Sequence, residues 1–280
     1  MANETYFIYN GKFIPNEESV ISPDNRSFRY GDGFFETMLF NNGKTYFKDY
    51  HVDRINDAIL KLNFEKANHF TTDNLFFHTK KLITRNKITE YARVRITFFR
   101  GDGGLYDAEN NFVNYIIQAW PIQSSFHLYK DNGLDIDIYP DSRKACDSFS
   151  HIKSNNYQCY AMAAMWAKQN KLNDAIVLNH FDRVADSTIA NIFVVNKKDE
   201  ILTPKLSEGC VNGIMRRFIL EKLKDNVIET TISQNDLLKA KEIFLTNSIK
   251  GIMWVQNIQD KKLTNNISQS VFRKLDLLHL

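Results

Sequence analysis

His151-Ile152-Lys153-Ser154-Asn155-Asn156-Tyr157 is a polar stretch whose lysine is followed, further along the chain, by Asp186 and then by the turn Gly213-Ile214-Met215-Arg216. Three chemistries stand here in order. The lysine amine can act as nucleophile or base, and a carboxylate can hold a proton on a nitrogen. A glycine-led helix start can take a phosphate. A loop lysine taken alone is usually solvated, and this chain carries 36 lysines and arginines. The information lies in the set.

Asn212-Gly213-Ile214-Met215-Arg216-Arg217 leads into an amphipathic helix, so backbone N–H groups point outward at the positive end of its dipole. Asp186 lies in Val184-Ala185-Asp186-Ser187-Thr188-Ile189-Ala190-Asn191, between two predicted strands, where a turn or cap role and a proton-holding role are both open. Arg54 shares a helical turn with Ile55; it either extends into solvent or serves as a fork donor to a phosphate. These are the parts needed to hold pyridoxal phosphate. The lysine forms the imine, the acid keeps the pyridine nitrogen protonated, and the turn binds the phosphate.

Around these residues the pattern predicts short strands and helices. Asn10-Gly11 and Asn41-Asn42-Gly43 each divide two short apolar runs and read as hairpins. Helices are predicted from about Tyr50, with Ile55, Ile59 and Leu62 on one face, and over Asp73 to Asn86. Ala92–Phe99 and Phe112–Trp120 read as a strand pair around the Gly101–Gly104 loop. Pro121 is expected to end that pair, which sets domains at 1–120 and 127–280 with a linker at 121–126. The later part reads as strands near Leu134–Tyr139, Ala175–Leu178, Asn191–Val195, Glu200–Leu202, Val227–Thr231 and Glu242–Leu245. Helices are expected over Tyr157–Asn170 and Gly213–Lys224, and Ser233-Gln234-Asn235-Asp236 reads as a capping box with Asp in place of Glu.

Composition bounds the function. Hydrophobic residues make up 43% of 280 residues and the net charge is +3, so the chain has ample core and no basic tract suited to nucleic acid. Cys146, Cys159 and Cys210 lack zinc-ligand spacing and read as reduced thiols of a cytoplasmic protein. The first residues resemble no signal peptide, and no apolar run is long enough for a membrane span.

In order, these segments resemble the fold-type-IV pyridoxal-phosphate enzymes, the class IV aminotransferase family. That family includes branched-chain and D-amino-acid aminotransferases and 4-amino-4-deoxychorismate lyases. The resemblance runs from about Asn10 to Val255. It begins with Arg26-Ser27-Phe28-Arg29-Tyr30-Gly31-Asp32-Gly33-Phe34-Phe35-Glu36-Thr37, similar to the family's Tyr-Gly-Asp-Gly-x-Phe-Glu segment. It continues through His51-Val52-Asp53-Arg54-Ile55, Thr203-Pro204, Val211-Asn212-Gly213-Ile214-Met215-Arg216 and Thr246-Asn247-Ser248.

The resemblance implies a two-domain α+β or α/β fold, with a small N-terminal α/β domain and a larger C-terminal pseudo-barrel domain. It also implies a homodimer in which the partner's N-terminal domain closes the substrate pocket. It makes Lys153 the Schiff-base lysine and Tyr157 the partner of the cofactor's phenolic oxygen. Asp186 becomes the acid facing the ring nitrogen, where the family normally has Glu. Arg54, the N–H groups of Ile214 and Met215, and the Ser248 hydroxyl become the phosphate site. Tyr30, Arg100 and Tyr106 are candidates for contacts to a small amino substrate.

Within the family, Val-Asn-Gly-Ile-Met-Arg and Arg100-Gly101-Asp102-Gly103-Gly104-Leu105-Tyr106 look more like the lyases, although Leu105 stands where those enzymes have arginine. The implied reaction is cleavage of aminodeoxychorismate to 4-aminobenzoate and pyruvate. Transamination of an amino acid with 2-oxoglutarate is the alternative. An inactive cofactor-binding relative is the third reading, favoured only by Asp in place of Glu.

Overall fold

Asn10 and Gly11, with φ of 47° and 83°, both take the left-handed conformation that a two-residue hairpin turn requires. They join β1 (Tyr6–Tyr9) to β2 (Lys12–Pro15). The computed structural model describes residues 5–67, 70–123 and 128–275, which gather into two compact units. The first contains residues up to 126 together with Lys153–Asn156, and the second contains 127–152 and 157 onward.

In the first unit, α1 (Arg26–Tyr30) is followed by β3 (Gly33–Asn41), β4 (Lys44–Thr45), α2 (Lys48–Lys61) and α3 (Thr72–Arg85). The strands β5 (Tyr91–Phe99) and β6 (Asn114–Ile122) complete an antiparallel sheet of order β2-β1-β6-β5-β3-β4. Alternation sets its faces: Ala92, Val94, Ile96 and Phe98 of β5 are buried, while the residues between them are partly exposed. The helix α3 packs on β1 and β6, and α2 packs on β3.

Pro121 does not end β6. The strand continues to Ile122, with Pro121 opposite Ala92. On its other side β6 pairs with β1 only at Ile116 and Ile117, so the missing proline N–H interrupts no ladder there. Residues 124–126 of the expected linker lie outside the described residues.

The second unit contains β7 (Leu134–Ile138), α4 (Gln158–Gln169), β8 (Asp174–Leu178), β9 (Val184–Ser187), β10 (Asn191–Val195) and β11 (Ile201–Pro204). Next come α5 (Ile214–Leu223), β12 (Val227–Thr230), α6 (Gln234–Lys239) and β13 (Glu242–Asn247). The unit closes with β14 (Gly251–Ile258), β15 (Lys261–Lys262) and α7 (Asn266–Lys274). Its sheet runs β12-β11-β10-β13-β14-β7-β8-β9, with β15 beside β14. β9 ends the order and β10 sits near the other end, yet Ser187 N–H donates to Ala190 O in a tight turn joining them. So short a link forces the sheet to curl back on itself, which is the expected pseudo-barrel.

Its interior is filled by Ile176, Val184, Ile192, Val194, Ile243 and Leu245, all buried. Tyr160, Ala163 and Ala167 seat α4 on β8. Ser233 caps α6 as predicted, its Oγ accepting from Asp236 N–H while Asp236 Oδ2 accepts from Ser233 N–H. Among the described residues no helix is long and apolar enough to cross a membrane.

Candidate active site

Lys153 belongs to the first unit, although the segments on both sides of Lys153–Asn156 belong to the second. Its carbonyl accepts from Phe35 N–H at 2.9 Å, Asn155 N–H donates to Gly33 O at 2.9 Å, and Ser154 bridges to Phe34. The lysine is therefore laid against the start of β3 as a short extra strand rather than left in a solvated loop. Its Nζ stands 4.7 Å from the centroid of the Phe35 ring. Gly33 permits this approach, because a Cβ there would meet Phe98 O at 2.2 Å and Asn155 Nδ2 at 2.5 Å.

One residue beyond Phe35, Glu36 points into a buried cluster. Arg54 donates from Nε to Glu36 Oε1 at 2.7 Å and from Nη2 to Oε2 at 2.8 Å, and His51 Nδ1 lies 2.6 Å from Oε2. All three residues are buried, so Arg54 does not extend into solvent. Burial pushes the Glu36 carboxyl up, but the charges and hydrogen bonds of Arg54 and His51 outweigh it and hold the group at about 2. Burial lowers the His51 pKa, against the opposing pull of the Glu36 carboxylate beside Nδ1. Nε2 of His51 is buried without a hydrogen-bond partner among the described residues.

The three candidate substrate residues also fall in the first unit. Tyr30 is stacked by Arg26 at 5.3 Å and lies 5.7 Å from the Tyr106 ring. Arg100 is spent inside its own unit. Its Nε donates to Asp32, its Nη1 to Asn63 O and Asn111 Oδ1, and its Nη2 to Leu62 O. Four of the roughly five N–H groups a guanidinium carries are thus engaged, which makes Arg100 a loop anchor rather than an open carboxylate trap.

Asp186 of the second unit lies in β9 itself, opposite Val177, and not in a turn between strands. Its Oδ1 accepts from Asn191 Nδ2 at 2.8 Å. Its Oδ2 accepts from Tyr160 OH at 2.8 Å, from Val211 N–H at 2.8 Å and from Lys144 Nζ at 3.3 Å. Burial raises the Asp186 pKa, and Lys144 and the hydrogen bonds oppose that rise. Tyr157 stacks on Tyr160 at 4.7 Å, which places it beside the same acid.

Asn191 also donates to Val211 O at 2.8 Å, and a Cβ on Gly213 would strike Asn191 Oδ1 at 1.8 Å. One asparagine thus fastens the acid to the glycine turn. Ile214 and Met215 open α5 there with no side-chain cap. Thr246 lies opposite Asn191 in the β10–β13 register, and its Oγ1 is buried without a partner among the described residues. Ser248 follows in a turn shaped by Asn247, whose Oδ1 accepts from Ile249 N–H at 3.0 Å and Lys250 N–H at 2.8 Å.

This set suits pyridoxal phosphate. An uncapped helix start and an unpartnered buried hydroxyl offer donors to a phosphate, and a buried carboxylate can face a pyridinium nitrogen. The pattern of residues had not pointed to Glu36, His51, Lys144, Tyr160 or Asn191. A glutamate inside the apolar run Phe34-Phe35-Glu36-Thr37-Met38 was a usable signal, since a buried carboxylate needs partners. Lys144 left no trace in the pattern.

The amino-transferase class IV family profile matches residues 33–258. The aminodeoxychorismate lyase of Bacillus subtilis (strain 168) is 30% identical over 267 residues, covering 90% of this chain and 86% of that protein. The D-alanine aminotransferase of Bacillus licheniformis is 23% identical, covering 91% of this chain and 89% of that protein. Among solved structures, the PLP-bound form of a hypothetical aminotransferase from Mycobacterium tuberculosis superposes with a TM-score of 0.81 at 14% identity. That match covers 97% of this chain and 98% of the other.

Proposed function

The chain belongs to the class IV aminotransferase family and is a pyridoxal-phosphate enzyme, and from that premise we propose that it is a 4-amino-4-deoxychorismate lyase. It would release 4-aminobenzoate and pyruvate, a step toward folate. What carries the lyase reading is 30% identity with the Bacillus subtilis lyase across nine-tenths of the chain, against 23% to 26% with aminotransferases of the family.

Bound pyridoxal phosphate supplies an electron sink for bonds broken next to the substrate's amino-bearing carbon. By the family resemblance, Arg54, the N–H groups of Ile214 and Met215 and the Ser248 hydroxyl are the groups assigned to the phosphate. Tyr157 orients the ring through its phenolic oxygen. Asp186 holds the ring-nitrogen proton, its Oδ1 carrying only the Asn191 bond while Oδ2 carries three. Lys153 Nζ takes the proton from the carbon beside nitrogen and later returns a proton to the leaving enol-pyruvate carbon. The family resemblance further supports a homodimer, and the reading of Cys146, Cys159 and Cys210 as reduced thiols supports a cytoplasmic location.

The test is to offer aminodeoxychorismate and, separately, a panel of amino acids with 2-oxoglutarate. Release of pyruvate and 4-aminobenzoate without amino-group transfer is the expected result. Transfer to 2-oxoglutarate without pyruvate release overturns the lyase reading in favour of transamination.

A further inference from the structure

Arg143 and Lys144 are adjacent cations that take opposite directions. Arg143 turns outward, its Nε donating to the exposed Asp182 at 2.7 Å. Lys144 turns inward. Its N–H donates to Leu178 O at 2.8 Å and its backbone bridges to Asn179, so the chain here is fastened to the end of β8. The side chain runs over Tyr160, with Nζ 5.1 Å from the ring centroid, and ends 3.3 Å from Asp186 Oδ2. The lysine side chain is 11% exposed and that of the aspartate 2%. Every residue of this arrangement belongs to the second unit.

Burying an ammonium is costly, because it gives up hydration. A buried ion pair is often no better for stability than well-packed apolar side chains of the same volume, so packing alone does not account for this lysine. Its surroundings do. Of the four donors that reach Asp186 among the described residues, Lys144 alone carries a charge, whereas Asn191, Tyr160 and the Val211 N–H are neutral. Tyr160, on α4, and Cys210, in the segment leading to α5, are the other titratable groups that face the acid. Burial, reinforced by the Asp186 charge, pushes the Tyr160 phenol well above its ordinary range and the Cys210 thiol up to about 12, so both stay uncharged. Burial also drives Asp186 toward its protonated form, and the Lys144 charge is the strongest influence against that.

We propose that Lys144 is a positioning residue for the reaction: its ammonium holds Asp186 as an anion in a pocket of neutral groups, and so sets how firmly Asp186 keeps a proton on the cofactor's ring nitrogen. Together with Tyr160 and Val211 it also occupies Oδ2, leaving Oδ1 with the Asn191 bond alone. The catalytic half rests on the assignment of Asp186 to that nitrogen. The electrostatic half rests only on contacts within the second unit.

The test compares Lys144→Met, which keeps an unbranched stem without the charge, with Lys144→Arg, which keeps the charge; Lys144→Gln replaces the first if it folds poorly. In the apoenzyme, urea midpoints are measured across about pH 4 to 8. Without the cation, burial raises the Asp186 pKa further. Between 3.8 and that raised value the folded chain then holds a proton that the unfolded chain has released. Stability of Lys144→Met should therefore fall more steeply than that of wild type as pH rises through this window. Lys144→Arg should follow wild type, and adding Asp186→Asn to Lys144→Met should abolish the extra slope. In the holoenzyme, kcat of Lys144→Met should drop about tenfold at neutral pH and the acid limb of its pH profile should move to higher pH, while Lys144→Arg keeps both near wild type. These rates are taken on whichever substrate the wild type turns over, so failure of the lyase reading changes the substrate and not the test. A lysine that served packing alone would lower stability equally at every pH, so an unchanged slope in Lys144→Met overturns the proposal. A steeper slope with an unmoved acid limb overturns the catalytic half, and with it the assignment of Asp186 to the ring nitrogen.

Discussion

Asp186 is one methylene shorter than the glutamate that the resemblance leads one to expect, and four donors from Asn191, Tyr160, Val211 and Lys144 fix it where it stands. Asp186→Asn keeps the shape but removes the charge that, on the proposed reading, holds a ring-nitrogen proton. Turnover should fall by about 100-fold or more while cofactor is still retained, as measured by steady-state rates and bound-cofactor absorbance. Asp186→Glu should not improve the enzyme. The added methylene displaces a carboxylate that these four donors fix, and thermal unfolding should show a loss of about 1–3 kcal/mol. Wild-type stability in Asp186→Glu would mean that the four donors are not rigid.

At the scale of elements, β3 and α2 are joined by the Glu36–His51–Arg54 cluster, and Lys153 is laid on the same strand one residue away. Removing Glu36 leaves a buried arginine without its partner, so Glu36→Ala should cost about 3–5 kcal/mol in urea unfolding. Glu36→Gln should weaken binding of pyridoxal phosphate to the apoenzyme but not that of pyridoxal, because on the proposed reading only the former uses Arg54. Equal weakening for both would contradict the phosphate assignment.

The same cluster sets the acid limb of stability. Glu36 titrates at about 2 against an ordinary 4.5, so its contribution is complete above 4.5 and is lost as pH falls toward 2. His51 has a folded pKa below 6.5, so the unfolded chain binds the proton first and stability declines as pH falls below 6.5. His51→Gln should flatten the decline that begins there, measured as urea midpoint against pH. A slope identical to wild type would place the histidine's proton elsewhere.

Across the whole molecule, much of this organisation was legible before any coordinates. Asn-Gly turns gave the hairpins, the capping box gave α6, and Gly213 gave the start of α5, because each is local chemistry written in adjacent residues. What stayed hidden depends on distant partners. The five-residue α1 is stabilised by the Asn25 cap and by Arg26 reaching a loop nearly eighty positions away. Pro121 survives inside β6 because β1 has already stopped pairing beside it. Lys144 acquires meaning only when β8 and β9 bring Asp186 to it. The proposed homodimer predicts a light-scattering mass near twice the 32.7 kDa of the chain, and a single-chain mass would remove the partner from the account.

Lys153, held on β3 by Phe35 and Gly33, is on this reading the lysine that carries the cofactor. Borohydride treatment of the holoenzyme followed by peptide mass mapping tests that assignment most directly. A single cofactor-modified peptide bearing the label on Lys153 is predicted, and none in Lys153→Ala. A label on another lysine, or a labelled peptide that persists in Lys153→Ala, would contradict it.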